Sequence, residues 1–122
     1  MKKHVLIIDD DVELCEELKS LLMSDNFIVD CAISAEKGAE LMNKCRFHVI
    51  LLDNKMSGMS GVDFLVKLDL HTRKKVILIS GQPFLENRLD EAGLSGSVGG
   101  IMKKPIDIEM LFESLSRIAG EN

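Results

Sequence analysis

The sequence predicts an α/β domain, a doubly wound five-stranded parallel sheet with helices on both faces. Two observations carry this. The continuous aliphatic runs Val5-Leu6-Ile7-Ile8, Val49-Ile50-Leu51-Leu52 and Val76-Ile77-Leu78-Ile79 have the pattern of strands covered on both faces. Between them lie stretches whose apolar residues recur at helical spacing, so strands and helices alternate five times with short connections. A chain of 122 residues is one domain on length, and no repeat, linker or low-complexity tract divides it.

Taken in order, Val5 to Ile8 is strand one and stops at Asp9-Asp10-Asp11. Asp11 is placed to cap a helix in which Leu14, Leu18, Leu21 and Leu22 share a face, with Glu13, Glu16, Glu17 and Lys19 on the others. Asp25-Asn26 breaks that helix. Phe27 to Ala32 alternates, Phe27, Val29 and Cys31 against Asp30, as an outer strand does. Ser34 caps a helix through Ala35, Ala39, Met42 and Cys45, which Gly38 weakens. Strand three, Val49 to Leu52, ends in Asp53. Gly58 and Gly61 punctuate the next loop, and a helix carrying Val62, Leu65, Val66 and Leu68 follows. Lys74-Lys75 introduces strand four, which stops at Ser80-Gly81, and Gln82-Pro83 opens a short helix reaching about Ala92. Residues 93–100 hold four glycines and two serines, predicting a flexible loop or a strained turn. Ile101-Met102 is the apolar part of a short fifth strand ending at Lys103-Lys104-Pro105. Asp107 caps the last helix, whose Ile108, Leu111, Phe112, Leu115 and Ile118 form one apolar face.

Composition excludes several classes of function. A hydrophobic content of 46% indicates a packed core, and a net charge of −5 argues against direct nucleic-acid binding, which wants a basic face. No apolar run approaches the length of a membrane span, and the start is too short in apolar residues for a signal peptide, so a cytoplasmic location is expected. Cys15, Cys31 and Cys45 have no metal-site spacing and read as three reduced thiols packed as small hydrophobes.

The chemistry lies at the strand ends. Asp9-Asp10, Asp53, Ser80 and Lys104 each follow their own apolar run, and in a parallel sheet those ends share one edge, where open α/β folds place their sites. Alone, each has an ordinary reading: helix-capping acids, a turn residue, a turn hydroxyl, a solvated lysine. Together they make a site. Crowded carboxylates raise one another's pKa unless a cation sits among them, and oxygen-only ligands suit Mg²⁺ before Zn²⁺, with Mn²⁺ as a substitute. A lysine and a hydroxyl opposite the metal could hold phosphoryl oxygens while a carboxylate acts as nucleophile.

In its motifs Ile7-Ile8-Asp9-Asp10, Leu51-Leu52-Asp53, Ile79-Ser80-Gly81 and Lys104-Pro105 the chain resembles a response-regulator receiver domain, the chemotaxis-regulator-like fold of two-component signalling. The resemblance covers the whole chain. It implies the flavodoxin-like strand order 2-1-3-4-5 and a single receiver domain over 1–122 with no output domain in this chain. It makes Asp53 the phosphoacceptor, with Mg²⁺ held by Asp10, Asp53 and the main-chain carbonyl of Lys55, and Asp9 contributing partly through water. Ser80 would bind a phosphoryl oxygen and report phosphorylation, and Lys104 would pair with the phosphate. The donor would be the phosphohistidine of a sensor histidine kinase or a histidine phosphotransfer protein. The output would be a changed surface on the helix before strand five, strand five and the last helix, read by a downstream protein or a second copy of the chain. The only catalysis implied is of the domain's own phosphorylation and dephosphorylation.

Three departures from the family pattern stand out. Ser57 replaces a usual proline, which predicts a looser loop; Ile101 stands where an aromatic switch residue is usual; and the stretch from Gly93 to Gly100 is long, with a short helix before it. Two other readings compete. One is a receiver-like interaction module that is never phosphorylated. The other is a haloacid-dehalogenase-type aspartyl-phosphate hydrolase, with Asp9 as nucleophile and Asp11 as acid, although the further acidic pair such enzymes need after their lysine is missing.

Overall fold

The computed structural model describes residues 2–120. Its strands are β1 (His4–Ile8), β2 (Ile28–Ala32), β3 (Val49–Asp53), β4 (Val76–Ser80) and β5 (Gly100–Lys103). Its helices are α1 (Val12–Ser24), α2 (Ala35–Lys44), α3 (Gly61–Val66), α4 (Leu70–Arg73), α5 (Leu85–Glu91) and α6 (Ile108–Ala119). The strands form one parallel sheet in the order β2-β1-β3-β4-β5. This is the order the resemblance implied.

Alternation along the strands divides the interior into two cores. Leu6, Ile8, Ile50, Leu52, Val76 and Leu78 face Ala35 of α2, Phe64 and Leu65 of α3, and Leu85 and Leu89 of α5. Val5, Ile7, Val49, Leu51, Ile77 and Ile79 face Cys15, Leu18 and Leu22 of α1 and Leu111 and Leu115 of α6. Because β3 and β4 feed both cores, every residue of each is buried. That is why these strands read as unbroken aliphatic runs.

The expected caps form: Asp11 accepts from the Leu14 amide, Ser34 from Lys37 and Asp107 from Met110. Gly38 has a packing role besides its propensity cost, since a Cβ there would lie 2.5 Å from Ile8 Cδ1. A side chain there would have to displace the end of the buried Ile8.

Some expectations are corrected. The helix expected to carry Val62 through Leu68 stops at Val66, whose side chain is exposed, while Phe64 is buried. Asp69 then caps the separate turn α4 through the Thr72 amide at 2.8 Å. α5 starts only after Phe84, which takes a left-handed φ of 63° and is exposed. The stretch before β5 is two tight turns at Gly93 and Gly96, with Leu94 buried between them. It is tied down by hydrogen bonds from Gly99 N to Arg73 O and from Arg117 to Gly99 O. The thiol expectation fails at one position: Cys15 is buried and Cys31 half-buried, but Cys45 is exposed. Among the described residues no helix is long and apolar enough to cross a membrane.

Candidate functional site: an acid cleft at the strand ends

The carboxyl edge of the sheet brings the sequence candidates together. Asp9 directly follows β1, Asp53 ends β3 and Ser80 ends β4, all three buried, while Asp10 is exposed at the rim. Carboxylate oxygens of Asp9, Asp10 and Asp53 lie within 4.8 Å of one another. Lys104, just past β5, puts its ammonium 3.2 Å from Asp53 Oδ1 and 3.5 Å from Asp9 Oδ2. These residues, with Asp11, Lys55, Gly81 and Gln82, line an open cleft of about 380 Å³.

Local hydrogen bonds fix the acids. The Asp11 amide donates to Asp9 Oδ1 at 2.9 Å, and the Lys55 amide donates to the Asp53 carboxylate. At Ser57 the structure differs from the looser loop the sequence predicts. Its amide donates to Asp10 Oδ2 at 3.2 Å, a tie that a proline could not make. Asp11 spends a carboxylate oxygen on capping α1 and does not join the cluster of three acids.

Electrostatics favour an added cation. Burial, followed by the neighbouring Asp9, pushes the Asp53 carboxyl above its ordinary value, against the pull of Lys104 and the Lys55 amide. Burial alone would lower the Lys104 pKa, but Asp53 and Asp9 outweigh it and raise it. Three carboxylates facing one ammonium leave a deficit of about two positive charges, and all donors are oxygens at an open cleft with room for water. The residues fit a hard divalent ion.

Two sequence candidates lie off the cleft lining. Ser80 is buried, and its Oγ accepts from the Gln82 amide at 2.9 Å. Ile101 sits in β5 opposite Leu78 and packs part-buried against the core that contains α3 and α5. Besides the Ser57 amide, a buried side chain escaped sequence reasoning. Asn54 is buried behind Asp53, with Oδ1 accepting from Val62 N at 3.1 Å and Nδ2 donating to Gln82 Oε1 at 3.0 Å. Its only signal was a polar residue continuing past the end of an apolar strand.

Comparison with known proteins points one way. The family model described as response regulator receiver domain matches residues 5–116. The cell cycle response regulator CtrA of Brucella ovis is 31% identical over 116 residues, covering 94% of this chain and 49% of that protein. The chain thus spans about half the length of the curated relatives it matches. Among solved structures, a chemotaxis-regulator-like receiver domain from Methanospirillum hungatei superposes with a TM-score of 0.84 at 24% identity, covering 96% of this chain and 93% of that one. Vibrio cholerae CheY4, a chemotaxis protein, gives 0.80 at 22% identity, with 97% and 99% covered. The Thermotoga maritima response regulator TrrA, solved in complex with Mg²⁺ and beryllofluoride, gives 0.80 at 21% identity, with 95% and 98% covered.

Proposed function

The chain belongs to the response regulator receiver domain family of two-component systems, and on that premise we propose that it is a phosphorylation-dependent switch with Asp53 as phosphoacceptor. One observation carries the reading: a buried carboxylate lies 3.2 Å from a lysine ammonium and within 4.8 Å of two further acids, at the mouth of an open cleft.

In this reading Asp10, Asp53 and the main-chain carbonyl of Lys55 hold Mg²⁺, or Mn²⁺ in its place, and Asp9 contributes through water. The ion would supply charge neutralisation among the acids and on the incoming phosphoryl group. An Asp53 oxygen attacks the phosphorus of a phosphohistidine on a sensor kinase or phosphotransfer protein. The P–O bond forms as the P–N bond breaks, and the imidazole leaves as the neutral base after taking up a proton. Lys104, already between Asp53 and Asp9, moves its contact to a phosphoryl oxygen. Phosphorylation adds about −1.5 to −2 charges and three acceptor oxygens, which draw the Ser80 hydroxyl inward. The loop after β4 moves with Ser80, so α5, β5 and α6 present a changed surface to a downstream protein in the cytoplasm or to a second copy.

The hydrolase reading is less well supported: its acid, Asp11, lies outside the cluster of three carboxylates and gives one oxygen to the α1 cap. An unphosphorylated binding module remains the alternative to be tested. The test is amide NMR with Mg²⁺, before and after beryllofluoride, on wild type and Asp53→Asn. Shifts around Asp53 and Ser80 in wild type only support the switch. No shifts in wild type would leave a constitutive binding module.

A further inference from the structure

Asn54 is the least exposed of the buried polar residues, at 1%, yet it does not line the acid cleft. Both its main-chain and side-chain groups are engaged. Its amide donates to Ile79 O and its carbonyl accepts from Gly61 N, each at 2.9 Å, while Oδ1 accepts from Val62 N at 3.1 Å. The remaining donor, Nδ2, goes to Gln82 Oε1 at 3.0 Å. That same Gln82 oxygen accepts from Arg88 Nη1 of α5 at 3.4 Å, and the Gln82 main-chain N–H donates to Ser80 Oγ at 2.9 Å. A polar chain therefore runs from the Ser80 hydroxyl through Gln82 to α5, with Asn54 as its buried anchor. Gln82 cannot turn its carboxamide without breaking the bonds to both Asn54 and Arg88. A displacement of Ser80 pulls on the Gln82 backbone, whose side chain is held at two points, Asn54 and Arg88.

We propose that Asn54 is a positioning residue: it fixes Gln82 between Ser80 and Arg88, so that occupancy of the cleft passes to α5 through this polar chain. The inference rests on the switch reading above and names how that site is coupled to its surface.

The test is amide NMR of the full chain with Mg²⁺, before and after beryllofluoride, in wild type, Arg88→Ala, Asn54→Ala and Gln82→Glu. Arg88 is exposed and lies outside the cleft lining, so Arg88→Ala is expected to keep the beryllofluoride response at Asp53 and Ser80. The response of Leu85–Glu91 should fall by about half or more, the scale on which coupling-network substitutions act. Asn54→Ala should do the same. Gln82→Glu keeps an acceptor for Asn54 and gives Arg88 a charge-assisted partner, so the α5 response should be kept or enlarged, and Arg88→Ala should remove the enlargement. A merely structural Asn54 would lower the melting temperature of Asn54→Ala while leaving the ratio of α5 to Asp53 shifts as in wild type, and that outcome overturns the proposal. If Asn54→Ala does not fold, Arg88→Ala decides alone: an undiminished α5 response beside a normal Asp53 response rejects the polar chain while the switch stands. No response at Asp53 in wild type rejects both.

Discussion

Asp53 carries a stability cost at neutral pH. Burial and Asp9 raise its carboxyl pKa in the folded chain above the ordinary 3.8. Folding therefore favours the protonated acid. That contribution is complete below the unfolded value and is lost as pH rises through the raised one, so at pH 7 the ionised group works against the fold. Asp53→Asn should accordingly melt higher than wild type at pH 7, by about 3–6 °C for each kcal/mol recovered in a domain of this size. The gain should shrink as pH is lowered toward 3.8. Lys104 keeps Asp9 as a partner in the variant, so its loss of Asp53 does not cancel the gain. Melting curves at pH 4 and 7 decide this; a variant less stable at both would show that the Lys104 pair outweighs burial. Asp9, Asp10, Asp53, Ser80 and Lys104 were legible in the sequence because each ends or follows an apolar run. Asn54 and the Ser57 amide were not, because their roles lie in hydrogen bonds to Gln82 and Asp10, 28 and 47 positions away.

At the scale of elements, the site depends on how closely α3 seats under the end of β3. A Cβ at Gly61 would lie 2.8 Å from Asn54 Cα and 2.9 Å from Asp53 O, against backbone that cannot yield cheaply. Gly61 is the first residue of α3, so Gly61→Ala gains less than the ~1 kcal/mol of a helix interior and should destabilise the fold by about 1–3 kcal/mol net, through overpacking. It should also weaken Mg²⁺ binding by displacing Asp53. Urea unfolding with and without Mg²⁺ measures both, and a stabilised variant would refute the close seating. The strands and capped helices were readable in the sequence, since the runs and the caps at Asp11, Ser34 and Asp107 are local signals. The break between α3 and α4 was not. Leu68 continues the apolar spacing of Val62 and Leu65, and only the competing cap by Asp69 starts a new turn.

Across the whole molecule, two cores on either side of one sheet make the acid edge and the helices a single cooperative unit. Cation binding at Asp10 and Asp53 should therefore protect sites far from the cleft. Burial, with Cys31 beside it, pushes the Cys15 thiol up to about 12, and its side chain is enclosed between α1 and the sheet. Cys45 is exposed. Alkylation at pH 8 should thus label Cys45 at once and Cys15 only through opening of the fold. Mg²⁺ at a hundred times its Kd should add about 2.7 kcal/mol of stability, slowing Cys15 but not Cys45. Asp10→Ala should lose that protection, and equal protection in the variant would remove Asp10 from the metal site.

Direct labelling tests whether Asp53 takes the phosphoryl group. The chain with Mg²⁺ and a small-molecule phosphodonor, followed by intact mass measurement and peptide mapping, should gain one phosphoryl group located at Asp53. Asp53→Asn should gain none, while Lys104→Ala should still bind Mg²⁺ but respond more weakly to phosphorylation. A phosphoryl group mapped to Asp9, or labelling of Asp53→Asn at the wild-type rate, would show that Asp53 is not the phosphoacceptor.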